Sequence, residues 1–319
     1  KWIIVGILIL VVVSIAAIMI INEMQLNYTI EEITEYNYFV LIENEKYGVM
    51  DKYGNVIIEP SYEAVQIPNP SKPIFVCVNS YHQDTKEYET TFYNEKREEI
   101  LTEYQNVQAI PIDTNIETNP YEKSVLTYKK DGKYGLITLE GKEITKPIYD
   151  QISSIHYKEG TFLVKQDQKV GVVNMKGKII IPIEYETITS DNYYNEATKN
   201  RTTGFIVSRK TEDGYRYGYI NYRGNIILET KYTELERVTE IANEKELYFI
   251  AFQNGQAGLL KNKKVILNYE YEDIQYNSLN DIFIVQRNGK QGAVTKEGKT
   301  ILHPEYDSIL FGGIYLNAV

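Results

Sequence analysis

The hydrophobic pattern of the chain changes character once. From Trp2 to Ile21 it reads WIIVGILILVVVSIAAIMII, twenty residues without a charge and with Ser14 as the single polar side chain. A bilayer core takes about 20 helical residues to cross, so this run predicts one N-terminal transmembrane helix within an anchor over 1–21. A cleaved secretory signal would have a shorter apolar core and a small-x-small site. The residues that follow, Asn22-Glu23-Met24, offer no such site, so an uncleaved anchor is expected. After a juxtamembrane segment, 22–35, apolar residues come in short runs instead. Examples are Phe39-Val-Leu-Ile42, Phe162-Leu-Val164, Phe205-Ile-Val207, Tyr248-Phe-Ile-Ala251 and Ile282-Phe-Ile-Val285, each bounded by turn residues. Val, Ile, Tyr and Phe dominate them, as suits half-buried strands.

These runs belong to a repeat. KYGVMDKYGNVIIEPSYEAV from Lys46 aligns with KYGLITLEGKEITKPIYDQI from Lys133, KVGVVNMKGKIIIPIEYETI from Lys169 and RYGYINYRGNIILETKYTEL from Arg216. KQGAVTKEGKTILHPEYDSI from Lys290, a shorter copy from Gln256 and a degenerate one from Thr90 complete the series. About seven units result, near 38–65, 74–107, 124–152, 161–188, 204–235, 247–274 and 281–309, filling residues 36–319. Each reads as strand, hairpin, strand, hairpin, strand, and a short strand after the terminal tyrosine. Those tyrosines are Tyr62, Tyr104, Tyr149, Tyr185, Tyr232, Tyr271 and Tyr306. Gly54, Gly141, Gly177, Gly224 and Gly298 fall where a hairpin loop needs positive φ. Pro60, Pro147, Pro182 and Pro304 mark strand ends, because proline cannot donate to a ladder. The fold class expected is an all-β repeat array, either an open twisted β-hairpin array or a seven-bladed propeller-like one, preceded by one transmembrane helix. Both ends of the chain carry the same strand patterns, which favours the open form.

The copies resemble the WG (KWG) repeat of bacterial surface and secreted proteins. The shared pattern is an aromatic-glycine pair, a turn with Gly-Lys or Gly-Asn, a Pro, and a closing Tyr-acid pair. Gly48, Gly135, Gly171, Gly218, Gly258 and Gly292 match it, whereas the tryptophan is replaced by Tyr47, Tyr134, Val170, Tyr217, Ala257 and Gln291. The resemblance implies a bacterial, membrane-anchored binding protein.

Composition narrows the partners. The net charge is −10, so nucleic acid is not an expected ligand. Glu23, Glu31 and Glu32 follow the apolar run and Lys1 precedes it, which places the N-terminus in the cytoplasm and the repeats outside. One cysteine, Cys77, excludes an intramolecular disulfide; it reads as a small buried residue. The three histidines, His82, His156 and His303, are scattered, and no H-E-x-x-H, G-x-S-x-G, C-x-x-C or phosphate-loop motif occurs. No cofactor, metal or catalytic residue is therefore expected. Asp51, Asn174 and Asn221 begin turns, and turn capping is preferred over calcium binding at Asp51.

Two segments break the repeat rhythm: Gln108–Lys123 and Thr189–Thr203, read as insertions between units. They place Tyr121, Tyr193 and Tyr194 beside Asp113, Glu117, Asp191 and Glu196, the expected partner-binding residues. The function expected is a non-enzymatic, extracytoplasmic scaffold at the cell membrane, binding a protein or cell-wall glycan. The alternative is a glycan-cleaving hydrolase on a propeller-like scaffold, with carboxylates around a channel.

Overall fold

The computed structural model describes residues 31–84, 87–112, 121–155, 160–195, 200–241, 245–312 and 315–318. The expected anchor, 1–21, and residues 22–30 lie outside them. No helix among the described residues is long and apolar enough to cross a membrane. What they form is strands in small antiparallel sheets, each an up-and-down meander in chain order.

The first sheet is β1 (Tyr38–Glu43), β2 (Lys46–Asp51) and β3 (Val56–Tyr62); the second is β4 (Ala64–Gln66), β5 (Ile74–His82) and β6 (Glu87–Asn94). The third is β7 (Gln105–Pro111), β8 (Tyr121–Lys130) and β9 (Lys133–Thr138). Four-stranded sheets follow. They are β10 (Gln151–Ser154), β11 (Thr161–Gln166), β12 (Lys169–Asn174) and β13 (Ile179–Tyr185), then β14 (Thr187–Asn195), β15 (Asn200–Thr211), β16 (Gly214–Asn221) and β17 (Ile226–Tyr232). Next come β18 (Glu234–Arg237), β19 (Tyr248–Gln253), β20 (Gln256–Lys261) and β21 (Lys264–Tyr271), then β22 (Asp273–Asn277), β23 (Ile282–Arg287), β24 (Lys290–Thr295) and β25 (Thr300–Tyr306). A two-stranded sheet, β26 (Ile309–Gly312) and β27 (Tyr315–Ala318), ends the described chain. The molecule divides into two compact units. One holds the described residues up to Ser154 with 160–164 and 173–179; the other holds Ile155, 165–172 and the described residues from 180 onward.

Sheet and sequence repeat are offset by one strand. The short strand that closes each sequence unit opens the next sheet, as β4, β14, β18 and β22 do. The residue after the tyrosine makes the transfer: the N–H groups of Glu63, Glu186, Thr233 and Glu272 donate to the carbonyls of Val78, Ser208, Phe252 and Gln286. The motif's lysine then explains its acid. Lys46 pairs with Glu63 at 2.6 Å, seventeen residues on, and the same clasp joins Lys133 to Asp150, Lys169 to Glu186 and Lys290 to Asp307.

The turns follow the sequence reading. Gly54, Gly141, Gly177, Gly224 and Gly298 all have positive φ. Asp51 Oδ1 accepts from the N–H groups of Tyr53 and Asn55, and Asn174 and Asn221 cap their turns in the same way. The motif glycines do a different job. Gly218 sits where the β16–β17 register slips at a bulge, and a Cβ there would stand 2.6 Å from the Leu228 carbonyl oxygen. Close backbone approach, and not positive φ, therefore demands glycine. The closing tyrosines are structural as well: Tyr62 opposes Tyr47 and Tyr232 opposes Tyr217 across the ladders, and Tyr149, Tyr185 and Tyr232 are buried.

The β1–β2 hairpin carries a local strain. Asn44 and Glu45 both have positive φ (49° and 61°). At the second turn position Gly132, Gly255 and Gly289 occupy the matching hairpins. Left-handed backbone costs an ordinary L-residue roughly 1–2 kcal/mol. Glu45→Gly is therefore expected to stabilise the first sheet by about 0.5–1 kcal/mol once the added freedom of the unfolded chain is subtracted. A rise in the urea midpoint at unchanged slope checks it.

Cores form where one sheet meets the next. Phe75 packs on Tyr38, Val49 and Ile58; Phe249 packs on Tyr219 and Leu228; Phe283 packs on Tyr248, Leu259 and Leu267. Cys77 is fully buried in the first of these clusters, and burial pushes its thiol up to about 12.

Candidate functional site

The two segments that break the repeat rhythm lie inside sheets. Gln108–Lys123 spans the hairpin between β7 and β8, and Thr189–Thr203 is the long arm of β14 and β15. They fall between one sequence repeat and the next, and because sheet and repeat are offset by one strand, that junction lies between the opening strand of a sheet and the strand paired with it. Asp113, Glu117 and Glu196 lie outside the described residues.

In the first unit Tyr121 opens β8 opposite Pro111. It is half-buried and packs against the cluster of Val76, Leu126 and Tyr128, not standing free as expected of an anchor. Burial raises its hydroxyl pKa, and the neighbouring Tyr88 adds to the shift. Tyr88 and Tyr81 face each other across the β5–β6 hairpin with ring centroids 4.8 Å apart, and both are more than 40% exposed. Beside them Ser80 Oγ donates to Glu89, whose carboxylate also lies 3.7 Å from His82. The result is an exposed aromatic pair with a polar rim and one half-buried tyrosine beside it. The sequence reading passed over Tyr81 and Tyr88. The alternation that points both to one side of a hairpin was present, but the pairing register that joins them was not.

In the second unit Tyr193 and Tyr194 stand opposite Thr202 and Arg201 near the end of the β14–β15 arm. Asp191, expected at the surface, is buried at the arm's base. Its Oδ2 accepts from the Tyr219 hydroxyl at 2.9 Å and lies 2.6 Å from Arg237 Nε. The Asp191 and Arg237 side chains are 7% and 2% exposed. Burial raises the Asp191 pKa, opposed by the Arg237 charge and the Tyr219 hydrogen bond. Arg237 Nη1 and Nη2 donate to no group among the described residues. Gly204, which faces Asp191 across the ladder, makes the arrangement possible: a Cβ there would lie 2.4 Å from the Tyr219 hydroxyl. A charged pair at this depth fixes the arm on β16 and β18. It is a mount for the arm.

A smaller recess of about 210 Å³ sits on the first unit, lined by Ile58, Glu59, Ser61, Tyr62, Tyr93 and Arg97. The Tyr62 and Tyr93 hydroxyls are 3.1 Å apart, and Arg97 donates to the Val56 carbonyl. Among the described residues no group of three or more His, Cys, Asp or Glu side chains is placed to hold a metal ion.

Against this geometry the comparisons can be set. The family model for the WG containing repeat matches residues 47–68, 134–169, 171–195 and 217–240. No curated protein matches the chain. Among solved structures, "Crystal structure of the eukaryotic initiation factor" is similar at 9% identity and a TM-score of 0.34, covering 87% of this chain and 76% of that one. The dihydro-heme d1 dehydrogenase NirN gives 11% and 0.29, with coverage of 90% and 68%. Kluyveromyces lactis Hsv2p gives 8% and 0.29, with coverage of 85% and 94%. These scores are too low to establish a shared fold.

Proposed function

From a chain that carries WG-repeat stretches on small antiparallel β-sheets, we propose a membrane-anchored scaffold of the bacterial cell surface. It holds its repeats outside the cell and binds a protein or cell-wall glycan. The apolar run 2–21 and the acidic residues after it support the anchor and its orientation. The observation that carries the binding role is the exposed Tyr81–Tyr88 pair, set side by side by the β5–β6 pairing. Tyrosine presents a broad, amphipathic contact face at small entropic cost, and paired rings give either an apolar side chain or a sugar face something to lie on.

The test has two arms. An enzyme reporter joined after Val319 that works only outside the cytoplasm should be active; activity of a cytoplasm-only reporter would refute the orientation. Tyr81→Ser/Tyr88→Ser should weaken capture of envelope partners by about 30-fold, the effect of losing a hot spot worth about 2 kcal/mol. Unchanged capture by a folded variant moves the site to the β14–β15 arm, which shortening to a Gly-Ser turn would then test.

A further inference from the structure

Two departures from the repeat meet at one place. The degenerate copy keeps its turn: Asn94 Oδ1 accepts from the N–H groups of Lys96 and Glu98, as Asp51 Oδ1 does from Tyr53 and Asn55. Where five copies carry Gly54, Gly141, Gly177, Gly224 and Gly298, this turn carries Arg97, at a φ of 61°. The residue before Asn94 departs as well. Ile137, Val173, Ile220, Leu260 and Val294 hold that place elsewhere and are at most 2% exposed. Here it is Tyr93, half-buried, with its hydroxyl on Tyr62. Arg97 and Tyr93 both line the recess of about 210 Å³ on the first unit.

The turn glycines explain what arginine changes. A Cβ at Gly177, Gly224 or Gly298 would stand 2.8, 2.4 or 3.0 Å from the carbonyl oxygen of Ile144, Ile180 or Ile266, each in the repeat before. Those turns therefore close directly on the preceding repeat. Arg97 instead lays a side chain in the seam, and its Nη2 donates to the Val56 carbonyl at 2.8 Å. A left-handed φ strains an L-residue, and glycine would relieve it. The turn gains nothing from arginine; what arginine adds is a wall of the recess and a charge.

We propose that this recess binds one residue of a neutral saccharide. Its lining selects the class. Apart from the contact with Val56, the Arg97 guanidinium donates to no group among the described residues. The Tyr62 and Tyr93 hydroxyls, 3.1 Å apart, share one of their two protons and leave the other to donate outward. Glu59 and Ser61 add acceptors, and Ile58 and the tyrosine rings add apolar surface. An anion would meet Glu59, with Glu95, Glu98 and Glu99 flanking Arg97 in the sequence; a cation would meet Arg97. A purely apolar group would cover these donors and acceptors and leave them unpaired. Sugar hydroxyls both donate and accept, and the C–H face of a sugar ring lies well on an aromatic ring. The recess narrows the binding role proposed above to a glycan, at a place that shares no residue with the Tyr81–Tyr88 pair.

Saturation-transfer NMR on the full chain in a phosphocholine-headed detergent tests it. The probes are the methyl glycosides of glucose, galactose, mannose and N-acetylglucosamine. At least one should receive magnetisation at its ring C–H protons. Arg97→Gly restores the residue of the other turns, so it should unfold at no lower a urea concentration than wild type. It should bind that glycoside about tenfold more weakly, the usual effect of losing a hydrogen bond to a charged group. Tyr93→Phe, which removes only the hydroxyl, should weaken binding about fivefold. Tyr81→Ser/Tyr88→Ser should leave glycoside binding unchanged while losing partner capture. The proposal is overturned if no glycoside binds, if Arg97→Gly or Tyr93→Phe binds as well as wild type, or if the Tyr81/Tyr88 variant loses the glycoside. It is also overturned if sodium acetate competes more strongly than a second sugar, which would make the recess a carboxylate site. A chain that binds no glycoside yet still captures envelope partners through Tyr81 and Tyr88 sinks the recess alone.

Discussion

Asp191→Leu should destabilise the second unit by about 3–5 kcal/mol, the usual penalty for leaving a buried charge without its partner. Arg237 is 2% exposed, and Asp191 is the one carboxylate the described residues place against it. Its two terminal nitrogens already lack acceptors among the described residues, so no second anion is at hand to take over. Adding Arg237→Met should recover most of the loss, since well-packed apolar side chains of similar volume commonly equal or exceed a buried pair. Urea unfolding of the two single variants and the double variant closes the cycle. A single-variant loss below about 1 kcal/mol would mean that water reaches Arg237 and the pair is only nominally buried.

Stability should also collapse on the alkaline side. Burial, first, and hydrogen bonds to neighbours hold the hydroxyls of Tyr62, Tyr128, Tyr219, Tyr269 and Tyr276 far above the ordinary tyrosine value of 10. Below pH 10 folded and unfolded chains are equally protonated at these sites, and stability is whole. Above it the unfolded chain releases protons that the folded chain keeps, so each pH unit favours unfolding. Tyr128 and Tyr219 are 0% exposed, and each should cost up to about 1.4 kcal/mol per pH unit. The others are partly exposed and contribute less. The expected record is a cooperative loss of β signal above pH 10, with the phenolate absorbance of these tyrosines rising in step. Phenolate absorbance that completes its rise while the fold persists would sink the assignment.

The periodic parts of the molecule were legible because local rules decide them. A turn glycine, an Asp or Asn three residues before it and alternating Val and Ile specify a hairpin whatever surrounds it, and the structure builds those hairpins where the residues stand. The roles that depend on pairing between strands were not legible. Nothing near Gly218 reports that its constraint is the Leu228 carbonyl and not its own φ. Lys46 and Glu63 look like two surface charges until the ladder sets them face to face. The candidate site suffered most from this. Asp191 reads as an acidic loop residue beside two tyrosines, and only the register that brings Gly204 across from it and Tyr219 beneath it turns it inward. Arg237 gave a weak signal: a cation on the Leu235 side of β18, where alternation calls for an apolar residue.

The clasp between Lys46 and Glu63, repeated down the chain, has a consequence for how such a chain can change length. Each sequence repeat contributes the closing strand of one sheet and the opening strand of the next, so its two ends are complementary to those of every other copy. A duplication or deletion of one whole repeat leaves no orphan strand and no unmatched charge, because the incoming copy supplies the acid for its own lysine and the opening strand for its successor. Copy number can therefore drift by recombination without a compensating mutation, while a breakpoint inside a copy that carries the clasp splits its lysine from its acid.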